Sequence, residues 1–146
     1  MSEPKILVVF ALLIVFCCGF FLGKYQNKTK KDKPYRPTIM IDLDGVLNDY
    51  HKYDPKNIPW IKDDTYKFLE KLSKEDKYDL VLFTSRNTFQ AKKWMKKTHI
   101  DKFFKGVTNK KIPAFVYIDD RAINFSGDYE QTLKDIKTFK PYWQNY

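Results

Sequence analysis

The chain is short of the side chains that most often carry metals and nucleophilic chemistry. Of 146 residues only two are cysteine and two are histidine. Cys17 and Cys18 are adjacent within an apolar run, which excludes a disulfide framework and leaves the rest of the chain without a catalytic or metal-binding thiol. They read as small apolar side chains in lipid, too deep in the run to favour palmitoylation. His51 and His99 have no metal-ligand spacing and read as surface or loop residues. No internal repeat, low-complexity segment or nucleic-acid-binding module is recognisable. Candidate chemistry is therefore left to carboxylates, hydroxyls and amines. A hydrophobic content of 43% with 17% aromatics supports a packed core and excludes global disorder. The length fits one domain.

The net charge of +9 is unevenly spread. Residues 1–36 hold seven Lys/Arg and two acids, hence +5, and residues 37–146 carry the other +4. Ile6 to Leu22 is seventeen residues without a charge, close to the roughly 17 to 25 that span a bilayer core. Few basic residues precede this run, whereas Lys24, Lys28, Lys30, Lys31, Lys33 and Arg36 follow it. That order argues against a cleaved secretory signal and places the C-terminal side in the cytoplasm. The expected organisation is a membrane anchor over 1–23 (transmembrane helix 6–22), a basic juxtamembrane linker over 24–37, and a folded domain over 38–146. The linker lysines could lie against anionic headgroups or serve only as a topology signal and spacer.

In the domain, Thr38–Ile41 is a short, mostly apolar run that leads straight into Asp42-Leu43-Asp44-Gly45-Val46. Such a run reads as a buried parallel strand delivering its end to a site. Residues 45–62 contain Gly45, Pro55 and Pro59 without a sustained period, an irregular flap with room for a short hairpin. Asp63 or Asp64 can cap a helix through Leu72, with Phe68, Leu69 and Leu72 as its buried face. Tyr78–Phe83 is a second strand, ending in Thr84-Ser85-Arg86. Asn87 or Thr88 caps a helix with Phe89, Trp94 and Met95 facing inward. Phe104–Thr108 is a third strand and Ala114–Ile118 a fourth, which stops at Asp119-Asp120-Arg121. Asp128 with Gln131 has the form of a capping box and opens a last helix carrying Leu133 and Ile136, with Pro141 past its end. Alternating strands and helices predict an α/β fold, a Rossmann-like parallel sheet flanked by helices.

Three apolar strands thus end in polar chemistry: Asp42 and Asp44, Thr84 and Ser85, Asp119 and Asp120. In a parallel sheet those ends share one edge, where ligands bind. Two carboxylates this close repel unless a proton or cation intervenes, and oxygen ligands suit Mg²⁺. The carboxylates Asp42, Asp44, Asp119 and Asp120 would hold one Mg²⁺, while the hydroxyls and Lys110 or Lys111 would hold phosphoryl oxygens. An aspartate can also act as nucleophile and form an aspartyl-phosphate. Arg86 and Arg121 could bind a substrate phosphate or pair with the acidic cluster.

These motifs resemble the haloacid dehalogenase superfamily of phosphohydrolases over about residues 38–146. The resemblance implies Asp42 as nucleophile, Asp44 as general acid/base, Thr84 as a phosphoryl ligand and Asp119 as a direct Mg²⁺ ligand. Its motif lysine is Lys110 or Lys111. Lys111 is preferred, because Lys111-Ile112-Pro113-Ala114 looks like the Lys-Pro-Pro-Ala of small phage and bacterial relatives, although Ile112 departs from it. About 40 residues separate Asp44 from Thr84, and about 25 separate Thr84 from Lys111, which leaves no room for the cap domain of larger members. The expectation is a membrane-anchored, Mg²⁺-dependent phosphatase facing the cytoplasm, with an open site suited to a phosphorylated substrate that is itself large. A tethered, non-catalytic phosphate-binding module and a phosphatase of nucleic-acid ends are the alternatives.

Overall fold

The computed structural model describes residues 34–145. Strands β1 (Thr38–Asp42), β2 (Asp79–Phe83), β3 (Phe104–Thr108) and β4 (Val116–Ile118) form a parallel sheet in the order β3-β2-β1-β4. Helices α1 (Thr65–Lys74), α2 (Thr88–Lys97) and α3 (Tyr129–Thr138) alternate with them, and 3₁₀ turns occupy Asp101–Phe103 and Tyr142–Asn145. This is the helix-flanked α/β sheet that the alternation of apolar runs predicts. The expected anchor over 6–22, the cysteine pair and most of the basic linker lie outside the described residues. Among the described residues no helix is long and apolar enough to cross a membrane.

β1 is central, paired to β2 on one side and β4 on the other, and Ile39, Met40 and Ile41 are all buried. Both helical crossovers, β1-α1-β2 and β2-α2-β3, step in the same direction across the sheet. Right-handed connections then place α1 and α2 on one face. The core confirms it: Leu69 of α1 and Ala91, Trp94 and Met95 of α2 pack with Ile39, Ile41, Leu80 and Leu82. β3 is joined to β4 without a helix, by residues 109–115. Residues 45–62 close on themselves through one antiparallel bridge, Asn48 to Ile61, so the hairpin there is reduced to its base.

Two apolar side chains expected inside are outside, each for a reason of helical phase. In α1 the buried stripe runs Thr65, Leu69 and Leu72, which leaves Phe68 at its border and 40% exposed. In α2 the stripe is Ala91, Trp94, Met95 and Thr98, spaced i, i+3, i+4, i+7. Phe89 falls off it and is 64% exposed. The last helix, α3, has no buried residue, with Leu133 at 51% and Ile136 at 57% exposure. Amphipathic spacing specifies that a helix has an apolar face but not which surface meets it.

The caps differ in the same instructive way. Asn87 accepts from the backbone N–H of Phe89 and Gln90 and closes the start of α2. Asp64 sits at the N-cap of α1 but makes no side-chain cap bond. Asp128 accepts from Gln131 N, whereas the Gln131 side chain donates to Asp135 instead of returning, so the capping box is half formed.

Leu82→Ala, in the centre of the sheet with no exposure, is expected to lower the unfolding free energy by about 2–5 kcal/mol. Phe89→Ala should change it by less than about 0.5 kcal/mol. Urea denaturation monitored by Trp fluorescence separates the two.

Candidate functional site

The chain order across the sheet reverses between β1 and β4. After β1 the strands proceed to β2 and β3, and the chain then returns to the other side of β1. At such a switch point the loops leave in opposite directions and a crevice opens beyond the carboxyl ends of the strands. Ile41 is in register with Ile118, so Asp42 at the end of β1 and Asp119-Asp120 just past β4 come out at the same level. One carboxylate oxygen each from Asp42, Asp119 and Asp120 lies within 4.8 Å of the others, an arrangement that could hold a metal ion.

The electrostatics of this trio follow from crowding and burial. Burial raises Asp42 most, from an ordinary 3.8 to about 7. The charges of Asp119, Asp120 and Asp44 add to it, while a hydrogen bond from the Leu43 backbone opposes it. The Asp120 side chain is 1% exposed, and its Oδ1 has no hydrogen-bond partner among the described residues. A buried, unpartnered carboxylate oxygen is costly, and a bound cation would satisfy it. The donor set, hard oxygens only, fits Mg²⁺ or Ca²⁺ rather than a thiophilic metal.

The turn after β1 is built around Gly45, at φ +85°. A Cβ there would come within 2.4 Å of Asp120 Oδ2 and 2.9 Å of Trp143 Nε1, so glycine is required both by conformation and by space. Leu43 points into the core with no exposure and its carbonyl accepts from Leu47 and Asn48 N, which winds the turn tightly.

Asp44 does not join the trio, and the four-carboxylate metal set is thereby reduced to three. Its Oδ2 accepts from Arg86 Nε at 2.6 Å and its Oδ1 from Asn48 Nδ2 at 2.8 Å. Asn48 Oδ1 in turn accepts from Gly45 N. Arg86, 2% exposed, pairs with the acidic residue. Its Nη1 donates to the carbonyls of Asp54 and Asn57 in the flap, and the guanidinium lies 4.8 Å from the centre of the Tyr53 ring. Its Nη2 is buried and without a partner among the described residues. Arg121 takes the surface position, 3.9 Å from Asp120 and over the rings of Tyr50 and Trp143.

Thr84 is buried at the end of β2, where its Oγ1 accepts from Arg86 N at 3.1 Å, and Ser85 next to it is exposed. Lys110 and Lys111 stand on the exposed connection between β3 and β4. The Lys111 ammonium lies 4.4 Å from the centre of the Tyr117 ring. The lysine held beside the turn is Lys62, at the far end of the flap. Its Nζ donates to Gly45 O. Burial lowers its pKa, while Asp120 and Asp49 pull it the other way. Lys62, Asn48, Tyr142 and Trp143 were not legible as site residues. Tyr142 Oη donates to Gly45 O, 97 residues away, and Trp143 Nε1 to Asp120 Oδ2, 23 residues away, contacts that no local pattern signals. Both histidines are exposed.

No protein-family model and no curated protein matches the chain. Among solved structures, that of a conserved protein from Bacteroides thetaiotaomicron is similar at 20% identity and a TM-score of 0.47, over 77% of this chain and 98% of that one. The chemistry of the site is accordingly read from its own residues.

The Asp42 shift has a definite sign in the protein kept metal-free with EDTA. Between pH 3.8 and about 7 the folded state holds a proton that the unfolded state has lost. This group's stabilisation is thus complete below the lower value and is lost as pH rises through the upper one. The urea midpoint in EDTA should fall between pH 5 and 8, Asp42→Asn should flatten that fall, and millimolar Mg²⁺ or Ca²⁺ should raise the midpoint at pH 8.

Arg86→Met should cost about 3–5 kcal/mol by leaving Asp44 without its buried partner. Adding Asp44→Asn to it should recover part of that loss in a double-mutant cycle. Additive losses would show that the pair is not coupled.

Proposed function

We propose that this protein is a Mg²⁺-dependent phosphohydrolase of the haloacid dehalogenase type, working through an aspartyl-phosphate on Asp42. The observation that carries the reading is the division of labour among the carboxylates. Asp42, Asp119 and Asp120 converge on one point, while Asp44, two residues away, is held apart by Arg86 and Asn48.

In this reading Asp42 attacks phosphorus, the ester P–O bond breaks, and Asp44 delivers a proton to the leaving oxygen. Water then attacks the phosphorus of the Asp42 acyl phosphate and gives a proton to Asp44, and phosphate leaves as the Asp42 carboxylate is restored. Mg²⁺ held by Asp42, Asp119 and Asp120 would supply positive charge that offsets the repulsion between carboxylate and phosphate. Both oxygens of Asp44 accept hydrogen bonds, which suits the base that takes a proton from water. Donating to a leaving group requires the Arg86 or Asn48 contact to turn away. Thr84, buried at the end of β2, and Lys62, beside the Gly45 turn, would be the hydroxyl and ammonium that meet phosphoryl oxygens. Lys111 would need its connection to move.

The flap over 45–62 is the cover available to the site, pinned by Arg86 through the carbonyls of Asp54 and Asn57. With no cap insertion, a small metabolite would be poorly enclosed, so a phosphate presented by a large molecule is favoured. The apolar run at 6–22 and its basic flank support a tethered protein with this domain on the cytoplasmic side.

A phosphate-ester panel with Mg²⁺ tests the activity. Asp42→Asn should abolish turnover with the fold retained, Asp44→Asn should slow it roughly 10²-fold or more, and EDTA should silence it reversibly. An Asp42→Asn enzyme only a few-fold slower would refute the nucleophile.

A further inference from the structure

We infer that the outer face of α2, with the flap beside it, is a binding track for a single-stranded nucleic acid whose terminal phosphate reaches the carboxylate trio. The second half of this statement rests on the phosphohydrolase reading; the first half does not.

The charge pattern of α2 is the starting point. Thr88–Lys97 carries Lys92, Lys93, Lys96 and Lys97 and no acidic residue. Lys92 with Lys96 and Lys93 with Lys97 are like-charge pairs at i, i+4, which destabilise a helix. α1 is built differently: Lys67 pairs with Asp64 and Lys74 with Glu70. Among the described residues no carboxylate pairs with a lysine of α2. Two of them lie over exposed rings instead, Lys93 over Phe89 at 4.5 Å and Lys97 over Trp60 at 5.4 Å. A bound polyanion would relieve the repulsion that the helix otherwise carries.

The shape selects the polyanion. Two grooves flank this face and share Lys93. One, of about 380 Å³, has a floor of Met95, Phe104 and Val107 under a rim of Lys92, Lys93 and Lys96, with Asp101 as its single acid. The other, of about 240 Å³, runs between Lys56 in the flap and Lys93 and Lys97. An apolar floor under a cationic rim, with the Trp60 ring 55% and the Phe89 ring 64% exposed on this side, is what a flexible strand needs. Bases stack on aromatic faces while the phosphates between them meet ammonium groups. A bilayer surface would engage the lysines but could not enter the grooves. Position completes the case. The smaller groove includes Asn57, whose carbonyl accepts from Arg86 Nη1, and Arg86 Nε holds Asp44. A strand lying there ends beside the site.

The test uses the full chain in neutral detergent and a fluorescent, 5′-phosphorylated oligothymidylate of about 12 nucleotides, within the usual span of strand-binding surfaces. Fluorescence anisotropy should show binding that weakens steeply with salt. Lys93→Gln with Lys97→Gln should weaken it about tenfold and reduce the log–log salt slope by about 1.4, roughly 0.7 for each lysine lost. Trp60→Ala should weaken it about tenfold. All three substitutions should leave hydrolysis of p-nitrophenyl phosphate unchanged. Oligonucleotide binding that ignores these substitutions would overturn the proposal. So would binding confined to vesicles of anionic phospholipid. If the chain and its Asp42→Asn form bind the strand equally but neither removes its phosphate nor hydrolyses p-nitrophenyl phosphate, the track stands and the phosphohydrolase reading falls.

Discussion

The mutual repulsion of Asp42, Asp119 and Asp120 is the constraint around which this end of the molecule is built. Three carboxylate oxygens within 4.8 Å, half out of water, cannot all carry charge without compensation. The fold supplies only partial compensation. Arg121 N donates to Asp119 and Trp143 Nε1 to Asp120, Lys62 stands in the field of Asp120, and Asp42 meets its neighbours by holding a proton up to about pH 7. The unpartnered Asp120 Oδ1 is what remains. A site that stays electrostatically incomplete in the folded chain could hold a cation, because the sheet has already brought its charges together.

Arg86 extends that logic from the metal trio to the flap. One buried guanidinium holds Asp44, carries the carbonyls of Asp54 and Asn57, and packs against Tyr53. The position of the carboxylate proposed to move protons is thus coupled to the segment that covers the site. Anything that lifts residues 54–57 withdraws two acceptors from Arg86 and loosens its hold on Asp44. The planar fork of arginine makes this possible; a lysine ammonium could not face all three partners at once.

The helices divide between folding and display. α1 and α2 bury one stripe each and complete the core with the sheet. The outer side of α2 carries four lysines and no acidic residue, and α3 contributes no buried residue at all. Much of the exposed aromatic and charged surface is therefore on elements whose positions the core already determines.

What the amino-acid sequence by itself determined was the set of strands and the residues that end them. Short apolar runs stopped by Asp42-Leu43-Asp44-Gly45, Thr84-Ser85-Arg86 and Asp119-Asp120 specify a parallel sheet with a polar edge, because backbone period and side-chain polarity are local properties. Asn87 as a cap and Gly45 at a left-handed turn are local for the same reason. The tertiary structure alone decided which carboxylates converge, since Asp44 is drawn off by an arginine 42 residues away. It also decided that Lys62 rather than Lys111 stands beside the Gly45 turn, that Trp143 closes over Asp120, and that Phe68, Phe89, Leu133 and Ile136 face outward. Each of these depends on which distant surface arrives at a given side chain, and neither helical phase nor residue type encodes that arrival.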